Sequence, residues 1–233
     1  MLSALMLILG LVIIQLTVST TTASNSSIIF PPGSKPYGLS YSEHIQNFWK
    51  WLLAIPEDAA PIVDDDVTGK KCSTGQTNTN SSVFYLAPGE GGKDNRVCIV
   101  PAGKALFIPL NPVSLNSKES NGLSVQQMII SNKNEQDTVK NLKILSLAID
   151  NTNYNYDNLS KYRQATPPFE VTLPGNATFG MRGAGTYPAV ADGYYVITEP
   201  LAVGNHTIHY VSKVGGSGIA PWDHDITAKV IVK

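Results

Sequence analysis

His206, His209 and His224 crowd the C-terminal quarter of this sequence, and Asp223 and Asp225 flank the last of them. Imidazole and carboxylate together are the usual ligand set for a divalent cation, so these residues raise a metal-dependent chemistry first. His206 and His209 are three apart, however, and on a strand their side chains leave opposite faces. One ion would reach both only across a bulge. The metal reading therefore rests on His224 and His206 with Asp223 or Asp66, gathered across a hairpin around a divalent metal. The acidic run Asp64-Asp65-Asp66 offers calcium too few oxygens, since that ion takes ~6 to 8. It reads as a polar turn. The stretch 150–157, rich in Asn and Tyr, lacks the bend glycine and closing glutamate of a calcium loop.

Other chemistries leave less trace. There is no Gly-x-Ser-x-Gly, no His-Glu-x-x-His and no unpaired cysteine. A catalytic carboxylate pair is invisible at this level, because its ~5 to 9 Å separation belongs to the fold and not to spacing along the chain. Trp51, Trp222 and Tyr195 are aromatic side chains suited to stacking on a sugar face or anchoring a partner protein, with His44 beside Trp51.

Those residues must be carried by some body, and the composition describes it. The chain has 233 residues, 42% hydrophobic and 15% charged, with a net charge of −1. Such a chain buries a full core, and it has no basic surplus to hold a nucleic acid. Residues 2–18 are apolar and are followed by small residues up to Ser24, with no charge before Lys35. Residues 1–23 are therefore expected to be a signal peptide or an uncleaved N-terminal anchor, which would be the only membrane contact. Residues 24–39 read as a linker, and 40–233 as one domain placed outside the cytoplasm, secreted or held at the cell surface. In that compartment Cys72 and Cys98 are expected to form a disulfide, whose loop contributes roughly 3 kcal/mol. Sequons at Asn25, Asn80, Asn158, Asn176 and Asn205 are candidate glycosylation sites.

Ser40 and Glu43 form a capping box, after which Tyr41, Ile45, Phe48, Trp49, Leu52 and Leu53 repeat at helical spacing until Pro56. Trp51 falls off that stripe. Beyond it lie strand-like runs at 83–87, 105–110, 144–149, 169–173, 194–198, 206–211 and 226–232, and one short surface helix over 134–143. The fold class that follows is mainly β, an immunoglobulin-like or jelly-roll-like sandwich with an N-terminal amphipathic helix.

Several blocks carry a resemblance. They are Phe48-Trp49-Lys50-Trp51, Asp66-x-Thr68-Gly69-x-x-Cys72-x-x-x-Gln76, Val83-Phe84-Tyr85-Leu86-Ala87, and Arg96-x-Cys98-x-Val100-Pro101-Ala102-Gly103-Lys104-Ala105-Leu106-Phe107. Later come Asp192-Gly193-Tyr194-Tyr195 and Pro200-Leu201-x-x-Gly204-x-His206-Thr207-Ile208. From about residue 40 onward the chain resembles a group of secreted β-rich proteins of bacteria and ammonia-oxidising archaea whose activity is unassigned. Asp64, Asp65 and the Asn-rich stretch depart from that pattern. The resemblance implies an exported β-rich domain. The expected function is a cell-surface or extracellular binding module for a glycan or an envelope protein. The alternatives are the metal-dependent extracellular enzyme and a structural envelope or matrix component.

Overall fold

A computed structural model describes residues 27–62, 69–76, 80–216 and 219–233. Residues 1–23, expected to be a signal peptide or anchor, and Asn25 and Asp66 lie outside the described residues. Helix α1 spans Tyr41–Leu53, and its capping box is made in both directions: Ser40 N donates to Glu43 Oε2 at 2.7 Å, and Glu43 N donates to Ser40 Oγ at 3.3 Å. The expected stripe is the buried one, and the helix ends before Pro56. Phe48 stacks on Phe107 at 5.1 Å, and Trp49 Nε1 donates to the Tyr195 hydroxyl at 3.2 Å, so α1 lies on a sheet built from those strands. Each large apolar side chain buried this way contributes about 1.5 to 3 kcal/mol.

The body is mainly β, with two five-stranded sheets in a sandwich-like arrangement. In the first sheet β1 (Val83–Tyr85) pairs with β3 (Ala105–Asn116), β3 with β8 (Gly185–Ile197), and β8 with both β6 (Arg163–Ala165) and β7 (Phe169–Leu173). In the second, the order is β2 (Gly92–Val100), β10 (Ile219–Val232), β9 (Gly204–Gly216), β4 (Leu145–Ile149) and β5 (Thr152–Tyr154). Two pairings, β1 with β3 and β2 with β10, are parallel and join an otherwise antiparallel set. The alternation read in the last strand is the observed one: Ile226, Ala228, Val230 and Val232 are buried, and Lys229 is exposed.

Strand β2 was not among the expected runs. Its core-facing positions include Asp94 and Arg96, a buried ion pair, with Arg96 also donating to the carbonyls of Pro61 and Ile62. A charged pair at apolar positions erases the hydrophobic alternation that marks a strand. The Cys72–Cys98 disulfide ties the 69–76 loop to β2, across a Cα–Cα distance of 5.5 Å. Gln76 completes that loop, donating to Cys72 O and Tyr85 O at 3.0 Å and accepting from Tyr85 N at 2.7 Å.

Helix α2 runs Val125–Leu142, starting nine residues earlier than the sequence reading at a second capping box, Ser124 with Gln127. It lies on the surface with one face packed on the sheets. Gln136 donates to Asn111 Oδ1 at 2.9 Å, Asn111 donates to Ser212 Oγ at 2.8 Å, and Thr138 Oγ1 accepts from Gly215 N at 3.1 Å. A polar seam thus fastens α2 to β3 and β9, that is, to both sheets. In the first half of the helix the buried positions are Met128 and Asn132, so no apolar stripe announces it.

Candidate functional site

The last turn of α1, the middle of β3, the start of β10 and two connecting loops converge on one cleft. Trp49 comes from the buried stripe of α1, and Pro112 follows a register shift in β3 between Pro109 and Asn111. Trp222 and His224 are two apart on β10 and share a face, their rings meeting edge-on at 4.6 Å. Phe179 sits at the tip of the β7–β8 connection. That connection is pinned to the end of α1 by the Pro56–Ala177 bridge and the Arg182–Glu57 ion pair at 3.0 Å.

Two cavities of about 260 and 220 Å³ share Trp49, Pro112, Phe179 and Trp222 as walls, and are adjoining lobes of the cleft. One lobe adds Ile62, Glu90 and His224, and the other adds Ser114, Glu119 and Glu135. Each is near the lower end of small-molecule sites, ~300 Å³.

His224 is 2% exposed, and among the described residues neither ring nitrogen has a hydrogen-bond partner. Burial lowers its pKa to about 4, against the opposing charge of Asp223 and with help from Arg96. The imidazole is therefore neutral at pH 7, offering one donor and one acceptor. Glu119 is reached from solvent through the cleft, yet the enclosing walls, and then the charge of Glu135, push its carboxyl up to about 7. Enclosure likewise raises the pKa of Glu135, held back by the Trp222 indole N–H at 3.2 Å. Asn116 places Glu119, its amide oxygen accepting from Glu119 N at 3.0 Å and its amide nitrogen donating to the Glu119 carboxylate at 3.2 Å.

Phe179 is 42% exposed and holds φ at 59°. For a bulky residue the left-handed region costs about 1 to 2 kcal/mol, and this strain is carried at the mouth of the cleft. A broader groove of about 420 Å³ runs along Leu142, Ile144 and Pro221. Its charged residues, Lys213 and Asp223, face each other at 3.6 Å, which leaves less unspent polarity there than in the cleft.

The structure separates the metal candidates. His206 pairs with Val230 across the ladder and His224 with Ser212. Six residues at ~3.3 Å each put them about 20 Å apart. Asp223 points to the face opposite His224, and Asp66 lies outside the described residues. His206 instead contacts Asp150 Oδ2 and Ala202 O, both at 2.8 Å, and His209 contacts Asp225 Oδ1 at 2.8 Å. Among the described residues no group of three or more His, Cys, Asp or Glu side chains is arranged to hold a metal ion.

Of the expected aromatic binders, only Trp222 lines the cleft. Tyr195 is fully buried beneath Trp49. Trp51 donates to Thr74 O at 2.8 Å and stacks on Tyr85 at 5.4 Å, holding the cysteine loop. His44 is buried and bonds Pro36 O at 2.9 Å, fastening α1 to the preceding segment. Trp49, Phe179, Glu119 and Glu135 were not singled out in the sequence as site residues. The Phe179-Gly180 pair, an aromatic residue next to a glycine in a turn, was the one usable signal. Asn80, Asn158, Asn176 and Asn205 all lie at the surface.

No protein-family model matches the chain, and no curated protein does. A search of solved structures finds the solution structure of amebosin, at 12% identity over 62% of this chain and 100% of that one, with a TM-score of 0.18. That likeness is too slight to inform the fold or the site.

Proposed function

We propose that the protein is an exported binding module whose cleft takes up a sugar unit of a glycan. The observation that carries this reading is the convergence of Trp49, Trp222 and Phe179 on one cleft that also presents unpartnered or enclosed polar groups, His224, Glu119 and Glu135. Aromatic rings stack on the apolar face of a pyranose, and a neutral imidazole and carboxylates take its hydroxyls. Export is supported by the Cys72–Cys98 disulfide, a bond that persists in oxidising compartments. Among the described residues no helix is long and apolar enough to cross a membrane.

The test is a glycan array followed by titration calorimetry on the hits, with Trp222→Ala and Phe179→Gly. Both variants are expected to weaken binding at least tenfold. Phe179→Gly is expected to keep stability within about 1 kcal/mol, because release of the left-handed strain offsets the lost contacts. Absence of any glycan ligand would overturn the reading. The neighbouring carboxylates favour a second one, hydrolysis of the bound glycan with Glu119 as proton donor and Glu135 as its partner. Release of reducing ends that disappears in Glu119→Gln would distinguish hydrolysis from binding alone.

A further inference from the structure

Every charged residue lining the two lobes is acidic among the described residues: Glu90 in one, Glu119 and Glu135 in the other. Several carboxylates elsewhere in the body have a counter-charge. Asp94 pairs with Arg96, Asp137 with Lys133 and Arg163, Asp192 with Arg163, and Glu57 with Arg182. Among the described residues neither Glu119 nor Glu135 has an ion-pair partner. Each is met only by a neutral donor, the Asn116 amide or the Trp222 indole. A carboxylate in a lobe with apolar walls and no counter-charge is unfavourable, and a second carboxylate in the same lobe makes it more so. A ligand bearing positive charge relieves both.

The walls say what kind of cation fits. A hard metal ion gathers six or more oxygens at short range, whereas this lobe is closed by two indoles, a phenyl ring and a proline. Indole and phenyl faces attract an organic ammonium through their quadrupoles, and carboxylates beside them add direct charge. The neighbouring lobe ends at His224, buried, neutral and with both nitrogens free of partners, which suits hydroxyl groups rather than charge. The two lobes thus ask for different ends of one ligand.

Building on the glycan reading, we propose that the ligand is an amino sugar carrying a free ammonium group, with its ring against the Trp49, Phe179 and Trp222 walls. Its nitrogen lies between Glu119 and Glu135, and its hydroxyls reach His224. A neutral or N-acetylated sugar of the same shape leaves the carboxylates uncompensated.

The experiment is titration calorimetry of the whole protein at pH 6 with three oligosaccharides of equal length and linkage: β-1,4-glucosamine, its fully N-acetylated form, and the β-1,4-glucose analogue. Choline serves as a sugar-free ammonium. The glucosamine oligomer is expected to bind at least tenfold tighter than the other two sugars. The preference is expected to shrink with added salt, and to fall below threefold in Glu119→Gln and Glu135→Gln. Circular dichroism verifies the fold of each variant. Equal affinity for all three sugars would overturn the ammonium assignment while leaving glycan binding standing. So would a preference that survives both glutamine variants in folded protein. Choline binding with no sugar bound, or no binding at all, would overturn the glycan reading and the assignment together.

Discussion

Replacing His224 by leucine tests whether this side chain is held in the cleft against the interests of stability. The imidazole is buried with both nitrogens unpartnered, so His224→Leu removes no hydrogen bond and relieves the desolvation of two polar atoms. At pH 7.5 the variant is expected to be as stable as the parent or more stable by about 1 kcal/mol. Acid separates them further. The folded pKa is about 4 against 6.5 for a free histidine, so between those values the unfolded chain binds a proton that the folded chain does not. Stability of the parent therefore falls as pH drops through this window. A shift of 2.5 units at 1.36 kcal/mol each gives about 3 kcal/mol. Glu119 titrates in the same window with the opposite sign, and is present in both proteins, so the difference between variant and parent isolates the histidine. The assay is urea denaturation of both proteins at pH 7.5, 6.5, 5.5 and 4.5. The variant's advantage is expected to widen toward about 3 kcal/mol at the acid end. Parallel curves would refute the argument, because they would mean that the folded protein accepts the proton on His224 as readily as water does.

Glu119→Gln runs the other way. Its folded pKa is raised to about 7, so the folded chain holds a proton that the unfolded chain has released, and stability falls as pH rises from about 4.5 through 7. The variant's melting temperature is expected to exceed the parent's at pH 8 and to match it at pH 5. Cys98→Ala opens the 26-residue link to Cys72 and is expected to lower unfolding free energy by about 3.5 kcal/mol, read by denaturation of parent and variant without reductant. Gly193→Ala would place a methyl carbon 2.5 Å from Asn111 O at the register shift of β3. The loss is expected to be about 2 to 3 kcal/mol, and an unchanged midpoint in urea would mean that the two strands give way more easily than close packing allows.

What the chain discloses in advance follows the physics of periodic burial. Helix α1 was legible because its cap is local and its buried face is apolar at every turn, and β7 and the second half of β10 because their alternation is uninterrupted there; the first half of β10, with its register shift, was not read. Polar inward positions hid two elements: Asp94 and Arg96 disguised β2, and Asn132 disguised the first half of α2. β5 and β6 escaped because each is three residues long with no buried position. The site was harder still. Trp222 and His224 were noted, but as members of a binding strip and a metal set that the ladder register keeps apart. Glu119 and Glu135 are sixteen residues apart, and the packing of α2 back against β3, β8 and β9 brings them to the same lobe. Trp51 and His44 looked available because helical spacing says nothing of loops that fold back over a helix, as the cysteine loop and the segment around Pro36 do.

The parallel pairing of β10 with β2 bears on how the molecule is made. In the second sheet, β2 has no ladder neighbour except β10, which also supplies the neighbour of β9. The strand that joins β2 to the rest of that layer is thus synthesised after the other four. Until it emerges, β2 is tethered by its sulfur bridge and by the turn at 101–104, while its hydrogen-bonding edge stays open. Proteolytic trimming back past Ile226 would therefore part β2 from β9, β4 and β5 rather than shave the rim of the layer.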